Sequence, residues 1–88
     1  MNATIKRRLR KQYKQRTQNG GLVYCLRDAE IVFTQGLLDV ITELYEDGYS
    51  VEDIAYVFDK DSDEIFLALF HQARQGKINR TFAYRKSG

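Results

Sequence analysis

Two helix stops and one helix cap in the second half of the chain most constrain its fold. Gly48 and Gly76 each follow an apolar segment with helical spacing, at the position where a left-handed glycine ends a helix. Ser50 and Asp53 form a Ser-x-x-Asp capping pattern just after the first stop. The pattern predicts one helix before Gly48, a short helix after Ser50, and a further helix that ends at Gly76.

The helix before Gly48 is predicted to run from a cap at Asp28 to about Asp47. The last of the three helices is predicted to begin at Asp61 with Glu64, or at Ser62. The apolar stripe predicted for the long helix consists of Ile31, Leu37, Leu38, Ile41, Leu44 and Tyr45.

The phrase G-Y-S-V-E-D-I-A from Gly48 to Ala55 precedes a short turn and a helix through Ile65 and Leu69. This arrangement resembles the tri-helical helix-turn-helix superfamily over about residues 35–76. The resemblance implies a three-helix body and DNA binding, and a winged variant is one form of it. Members usually place an apolar residue after the turn, where this chain has Lys60. The positions that would face a DNA groove are Asp61, Ser62, Asp63, Phe66 and Leu67.

The composition of this last helix argues against a place in the major groove. Its first turn is acidic and would be repelled by phosphates. Residues 65–70 are apolar around the whole helix, which is typical of a helix that is buried on more than one side. We expect it to pack against the rest of the chain or against another subunit. The predicted protein interface consists of Asp61, Asp63, Glu64, Phe66, Leu67 and Phe70.

Charge is divided along the chain into three blocks. Residues 1–27 carry a net charge of +8, residues 28–64 carry −11, and residues 65–88 carry +5. Two interpretations follow: the basic ends bind a polyanion, or they fold back on the acidic middle.

Residues 1–20 are predicted to form a basic N-terminal helix or arm, and residues 21–88 a helix-turn-helix-like domain. A helix from Thr4 to about Gln18 would carry a narrow apolar stripe and would be marginal alone, so it can order on contact with a partner. Tyr13 adds stacking capacity. Seven cations are predicted to contact phosphates: Lys6, Arg7, Arg8, Arg10, Lys11, Lys14 and Arg16. The alternative is a terminus that is solvated or paired with the protein's own acids.

A second basic segment lies near the end of the chain. Arg80, Arg85 and Lys86 are predicted as further nucleic-acid contacts, with a tail that packs two aromatic residues as the alternative. The apolar run 22–26 is short enough for a strand or a buried turn. A β pair between residues 22–26 and 78–84 would correspond to the β element of a winged variant.

The chain lacks the patterns of metal and catalytic sites. Residues 59–63 carry Asp at every second position, as calcium loops begin, but Glu64 replaces the sharp-turn glycine and Phe70 the bidentate glutamate. His71 and Cys25 are the single histidine and cysteine, too few for a zinc site or a nucleophile with its base and orienter. We expect no enzymatic activity, no metal, no cofactor and no small-molecule substrate.

The composition also bears on the compartment. No apolar run approaches the roughly 18 residues that span a bilayer, and the basic N-terminus lacks the apolar segment of a signal peptide. A lone Cys25 fits a reducing compartment. We therefore expect a cytoplasmic protein without membrane contact.

The expected fold is mainly α, with a three-helix body, the basic N-terminal segment and the short β pair. The favoured hypothesis is a small DNA-binding regulatory protein of bacterial or phage type. Its basic arm would make nonspecific phosphate contacts, and its helix-turn-helix-like body would mediate assembly, as a homodimer or with a protein partner. The alternative is an adaptor or inhibitor of a transcription or replication component. Such a protein would bind its partner through the acidic and apolar last helix, without DNA.

Overall fold

The computed structural model describes residues 1–26 and 31–80 and shows a small mainly-α fold with one short two-stranded antiparallel sheet. This confirms the predicted fold class. A 3₁₀ turn (Arg16–Gln18) follows the first helix. The other elements, in chain order, are α1 (Ala3–Tyr13), β1 (Leu22–Leu26), β2 (Ile31–Thr34), α2 (Gln35–Glu46), α3 (Val51–Phe58) and α4 (Ser62–Arg74).

The predicted glycine stops lie just past the ends of α2 and α4, and the predicted Ser50 cap lies at the start of α3. Gly48 has a φ of +108° just past the end of α2, and Gly76 has a φ of +76° just past α4. The Ser50 hydroxyl accepts a hydrogen bond from the Asp53 amide at 3.0 Å and caps α3. Asp61 occupies the N-cap position of α4 without a side-chain capping bond.

The prediction that the long helix begins after Asp28 is wrong. Residues Ile31–Thr34 form β2, and α2 begins at Gln35. The run Ile-Val-Phe-Thr is β-branched and aromatic, and such residues favour a strand. The Thr34 hydroxyl accepts from the Leu37 amide at 3.0 Å and is the actual cap. Ile31 therefore lies outside the helix, and Asp28 lies outside the described residues.

The strand at residues 22–26 is confirmed, but its partner in the described chain is β2 rather than residues 78–84. Val23 lies opposite Phe33 in an antiparallel register. Residues 78–80 form no strand because their backbone is used elsewhere: the Asn79 and Arg80 amides donate to the Glu46 carboxylate at 2.7 and 3.0 Å. Residues 81–84 lie outside the described residues.

The N-terminal helix is shorter than predicted, but its apolar stripe is correctly placed. The helix ends at Tyr13, and i→i+3 bonds then tighten the chain into the 3₁₀ turn instead of continuing the helix to Gln18. Leu9 and Tyr13 are buried, and Ile5 packs partly against the same core as α2, α3 and α4. α1 is thus held along its apolar side by the rest of the protein.

The core lies where α2, α3 and α4 meet. Ala55 is buried and small, which lets α3 and α4 approach closely around the turn that joins them. That turn contains Asp59, whose φ of 54° places it in the left-handed region. The largest fully buried apolar side chains are Leu38, Ile41, Leu44, Ile54, Ile65 and Leu69.

A close contact between the 3₁₀ turn and the start of α2 requires glycine at position 36. A Cβ atom on Gly36 would lie 1.8 Å from the carbonyl oxygen of Arg16 and 2.9 Å from that of Asn19. The Gly36 amide donates to Asn19 O at 2.9 Å, and the Gln35 amide donates to Gly21 O at 2.9 Å. The contact fixes the segment after α1 on the N-terminal end of α2.

Gly36→Ala is expected to lower the free energy of unfolding by about 3 kcal/mol, because the added methyl group overlaps backbone atoms that no rotamer change can move. Urea denaturation followed by circular dichroism measures the change. Gly21→Ala is the matched control, since its Cβ would meet no atom within 4 Å, and it should alter stability by less than about 1 kcal/mol. Equal effects of the two substitutions would contradict the close contact.

Candidate nucleic-acid interface

Two of the seven predicted cations on the N-terminal segment are paired with an acid of the protein itself. Lys6 Nζ lies 2.7 Å from Asp59 Oδ1, and a guanidinium nitrogen of Arg10 lies 2.5 Å from Asp59 Oδ2. Asp59 reaches both cations because it projects from the left-handed turn at the end of α3, against which α1 packs. Hydrogen bonds from Lys6 and then from Arg10 lower the pKa of Asp59.

A third cation, Arg16, forms an ion pair with Glu43 of α2. The hydrogen bond from Arg16 lowers the pKa of Glu43, and the same bond raises the pKa of Arg16. The interpretation that the basic segment folds back on the acidic middle is therefore right for three residues: Lys6, Arg10 and Arg16.

The other four cations form the outer face of α1. Arg7, Arg8, Lys11 and Lys14 are exposed and make no ion pair within residues 1–26 and 31–80. Arg7, Lys11 and Lys14 follow one another at spacings of four and three residues, so they are neighbours along one side of the helix. Like charges at these spacings destabilise a helix by roughly 0.2–0.5 kcal/mol per pair. A bound polyanion would remove that repulsion.

A groove of about 540 Å³ runs between α1 and α3 beside this face. Tyr56 of α3 forms its aromatic wall and is 42% exposed. The Lys6 ammonium lies 4.3 Å from the centroid of the Tyr56 ring, a cation–π contact. The groove is lined by Ala3, Lys6, Arg7, Arg10, Lys11, Lys14 and Tyr56.

A smaller hollow of about 330 Å³ adjoins the groove. It shares Arg10 and Lys14 with the groove and adds Phe58 from the end of α3, together with Thr17 and Gln18 from the 3₁₀ turn. The two depressions therefore give one cationic surface with an aromatic side chain from α3 in each part.

The aromatic residue of this surface differs from the one expected from the sequence. Tyr13 is buried in the core, where burial raises the pKa of its hydroxyl, so it cannot stack on a ligand. Tyr56 takes that place. The helical spacing of α3 distinguishes the outward Tyr56 from buried Ile54, Ala55 and Val57. The spacing does not reveal that α1 packs beside α3 and places its cations next to Tyr56.

Of the C-terminal candidates, Arg80 makes its contacts at the C-terminal end of α2 rather than at this surface. The Arg80 guanidinium donates to the carbonyl oxygens of Tyr45 at 2.8 Å and Tyr49 at 2.9 Å, and it lies 4.2 Å from the centroid of the Tyr45 ring. Arg80 thus holds the segment after α4 against the C-terminal end of α2. Arg85 and Lys86 lie outside the described residues.

The predicted protein interface occupies the outward side of α4. Ile65 and Leu69 point into the core, as do Ala68 and Gln72. Phe66 is 37% exposed, while Leu67 and Phe70 are half-buried. The acids of its first turn flank the apolar residues: Asp61 and Asp63 are exposed, and Glu64 is half-buried.

Sequence reasoning missed a further apolar surface on the β-hairpin. Leu22 and Tyr24 are 65% and 61% exposed on β1, whereas Val23 between them packs against the core. Because successive side chains of a strand point to opposite faces, this alternation in the sequence distinguishes exposed Leu22 and Tyr24 from Val23.

Within the described ranges, the protein has no group of three or more His, Cys, Asp or Glu side chains placed to hold a metal ion. A bilayer-crossing helix is also missing from these ranges: none is long and apolar enough. Comparisons of the chain with protein-family models, with curated proteins and with solved structures find no match.

The ion pairs of Asp59 and Glu43 predict a specific pH dependence. Their pKa values are lower in the folded protein, so their contribution to stability is present above about pH 4 and is lost as pH falls through the folded pKa values. The double variant Glu43→Gln/Asp59→Asn should be less stable than the native protein near pH 7 and equally stable near pH 2. Urea denaturation across this range tests the expectation. A stability difference that stays constant with pH would contradict it.

Proposed function

We propose that this protein is a small cytoplasmic DNA-binding regulatory protein of bacterial or phage type that holds DNA through α1. The observation that carries the proposal is the outer face of α1, formed by Arg7, Arg8, Lys11 and Lys14, without an acid anywhere on the helix. Phosphate groups are the ligands that such a face binds most strongly, because neutralising them releases condensed counterions.

The way α1 is anchored supports this role. Burial of Leu9 and Tyr13 fixes the helix against the core, so its cations are presented on a formed helix. A disordered arm would lose conformational entropy when it folded on DNA, and that loss would weaken binding. Because α1 is already a formed helix, its basic face would bind DNA without this loss of conformational entropy.

Lys6 and Arg10 would make additional phosphate contacts. Both are held by one exposed carboxylate, that of Asp59, and surface ion pairs of this kind contribute little to stability. A DNA phosphate can displace Asp59 from them at little cost. The exposed cations of the outer face of α1 would make the first phosphate contacts. Lys6 and Arg10, once released from Asp59, would add further ones.

The helix-turn-helix-like body serves assembly in this proposal. The resemblance would place α4 in the major groove, but Asp61 and Asp63 lie exposed at its start and Phe66 at its surface. Direct readout normally relies on Arg, Lys, Asn or Gln side chains, and exposed acids repel phosphates.

Affinity for random-sequence duplex DNA should depend steeply on salt. With four phosphate contacts at about −0.9 each, the slope of log affinity against log salt concentration should be between about −3 and −4. Arg7→Gln/Lys11→Gln should reduce the size of that slope by about 2. Fluorescence anisotropy with a labelled duplex measures both quantities.

Arg74→Gln/Lys77→Gln is the matched control, because it removes the same charge from exposed residues at the end of α4. It should leave the slope nearly unchanged. Absence of DNA binding by the native protein even at low salt would overturn the proposed function. Equal effects of the two double variants would show that α1 is not the element that binds DNA.

A second candidate function, binding to a protein partner without DNA, is favoured by one observation. The outward side of α4 combines exposed Phe66 with the acids Asp61 and Asp63, a composition suited to a basic protein surface. Under this alternative, Asp61→Asn/Asp63→Asn should weaken partner binding. Under the favoured proposal, the same variant keeps or increases DNA affinity because it removes repulsion.

The outward side of α4 also predicts self-association. Light scattering should show a homodimer, and Phe66→Asp should give a monomer with unchanged helix content, because a charge would be buried in the interface. Tyr56→Asp is the matched control, an exposed aromatic residue on α3 that should leave the dimer intact. A native protein that stays monomeric at high concentration would contradict this expectation.

A further inference from the structure

We infer that the groove between α1 and α3 binds single-stranded nucleic acid, with an unpaired base stacked on Tyr56 and the adjoining phosphates on the cations of α1. The inference rests on the proposed function for its phosphate contacts and goes beyond it in naming the form of nucleic acid. Single-strand sites in general combine a positive groove that follows the backbone with aromatic side chains on which bases stack.

Tyr56 is placed for such a role. It is the outward residue in the middle of α3, and both its neighbours, Ala55 and Val57, are buried. Tyr56 is 42% exposed, so part of the side chain is accessible to a ligand. The Lys6 ammonium lies over one face of the ring, 4.3 Å from its centroid. A base that stacks on that face has to displace Lys6, whose ammonium can then pair with a phosphate of the strand.

The surface has the extent that a short strand requires. From Arg7 to Lys14 the cations follow about 10 Å of helix, at 1.5 Å per residue. The groove is an open depression of about 540 Å³, within the volume range of small-ligand sites. The adjoining hollow then repeats the pattern, with Phe58 as its aromatic residue and Arg10 and Lys14 as shared cations.

A duplex cannot use this aromatic surface. Its bases are stacked on one another inside the helix, so Tyr56 could not reach a base face without unstacking. A duplex would gain only the phosphate contacts. An unpaired strand gains from both the cations and the ring.

Fluorescence tests the stacking directly, because the native chain has no tryptophan. Tyr56→Trp would place a single tryptophan in the groove. Its emission should be quenched when an oligothymidylate or an oligouridylate is added, but not when a blunt duplex of equal phosphate concentration is added. Tyr24→Trp, on the exposed side of β1, is the control and should not be quenched by any of the three.

Affinity measurements supply the second test. Tyr56→Ala should weaken binding to the single strands by about tenfold or more and leave duplex affinity within about twofold, because only the single strand loses a stacked base. Tyr56→Phe should retain native affinity, since the phenyl ring can still stack. Quenching by either strand supports the inference. A difference between oligouridylate and an oligodeoxyuridylate of equal length, which share the base, identifies the preferred sugar.

The outcomes separate this inference from the proposed function. Binding of duplex at least as tight as that of single strands, with Tyr56→Ala affecting both alike, would overturn the single-strand site and leave the phosphate contacts of α1 standing. Failure of the native protein to bind duplex and single strands alike at low salt would overturn both.

Discussion

The position of α1, and with it the whole candidate interface, depends on the close approach of the 3₁₀ turn to Gly36. No side chain fits between the Arg16 carbonyl and the start of α2, and the amides of Gln35 and Gly36 are hydrogen-bonded to the N-terminal segment. The Thr34 hydroxyl adds a bond to the Thr17 carbonyl while it caps α2. Residues 34–36 therefore include the end of β2 and the start of α2, and they hold the segment that follows α1 in place.

This anchoring gives α1 two sides with different roles. Leu9 and Tyr13 connect it to the core, and Lys6 and Arg10 connect it to Asp59 at the end of α3. The remaining cations are exposed, and Arg7, Lys11 and Lys14 among them line the groove. The two interpretations of the charge segregation are therefore compatible: some of the basic residues neutralise the protein's own acids, and the rest form a face that is suited to a polyanion.

The sequence predicts the parts of the fold that depend on local chemistry. The glycine stops at Gly48 and Gly76 and the Ser50 cap act within a few residues, so they could be placed correctly. The prediction of a helix at residues 31–34 is wrong because a short apolar run fits a strand and a helix equally well by periodicity alone.

The candidate surface can be predicted less completely than the fold, since it depends on contacts between distant segments. The cations themselves could be found from composition. Which of them are paired is set by Asp59 and Glu43, 27 to 53 residues away along the chain. Tyr56 could not be identified as a groove residue before the packing of α1 on α3 was known.

The central claim is that α1 and the neighbouring side of α3, rather than the start of α4, form the nucleic-acid interface. A titration of isotope-labelled protein with a short oligonucleotide, followed through its backbone amide signals by NMR, tests this most directly. The account predicts that the largest shifts fall on residues 3–14 and around Tyr56, with small changes at Asp61 to Leu67. The opposite distribution, with the largest shifts at the start of α4 and α1 unchanged, would contradict it.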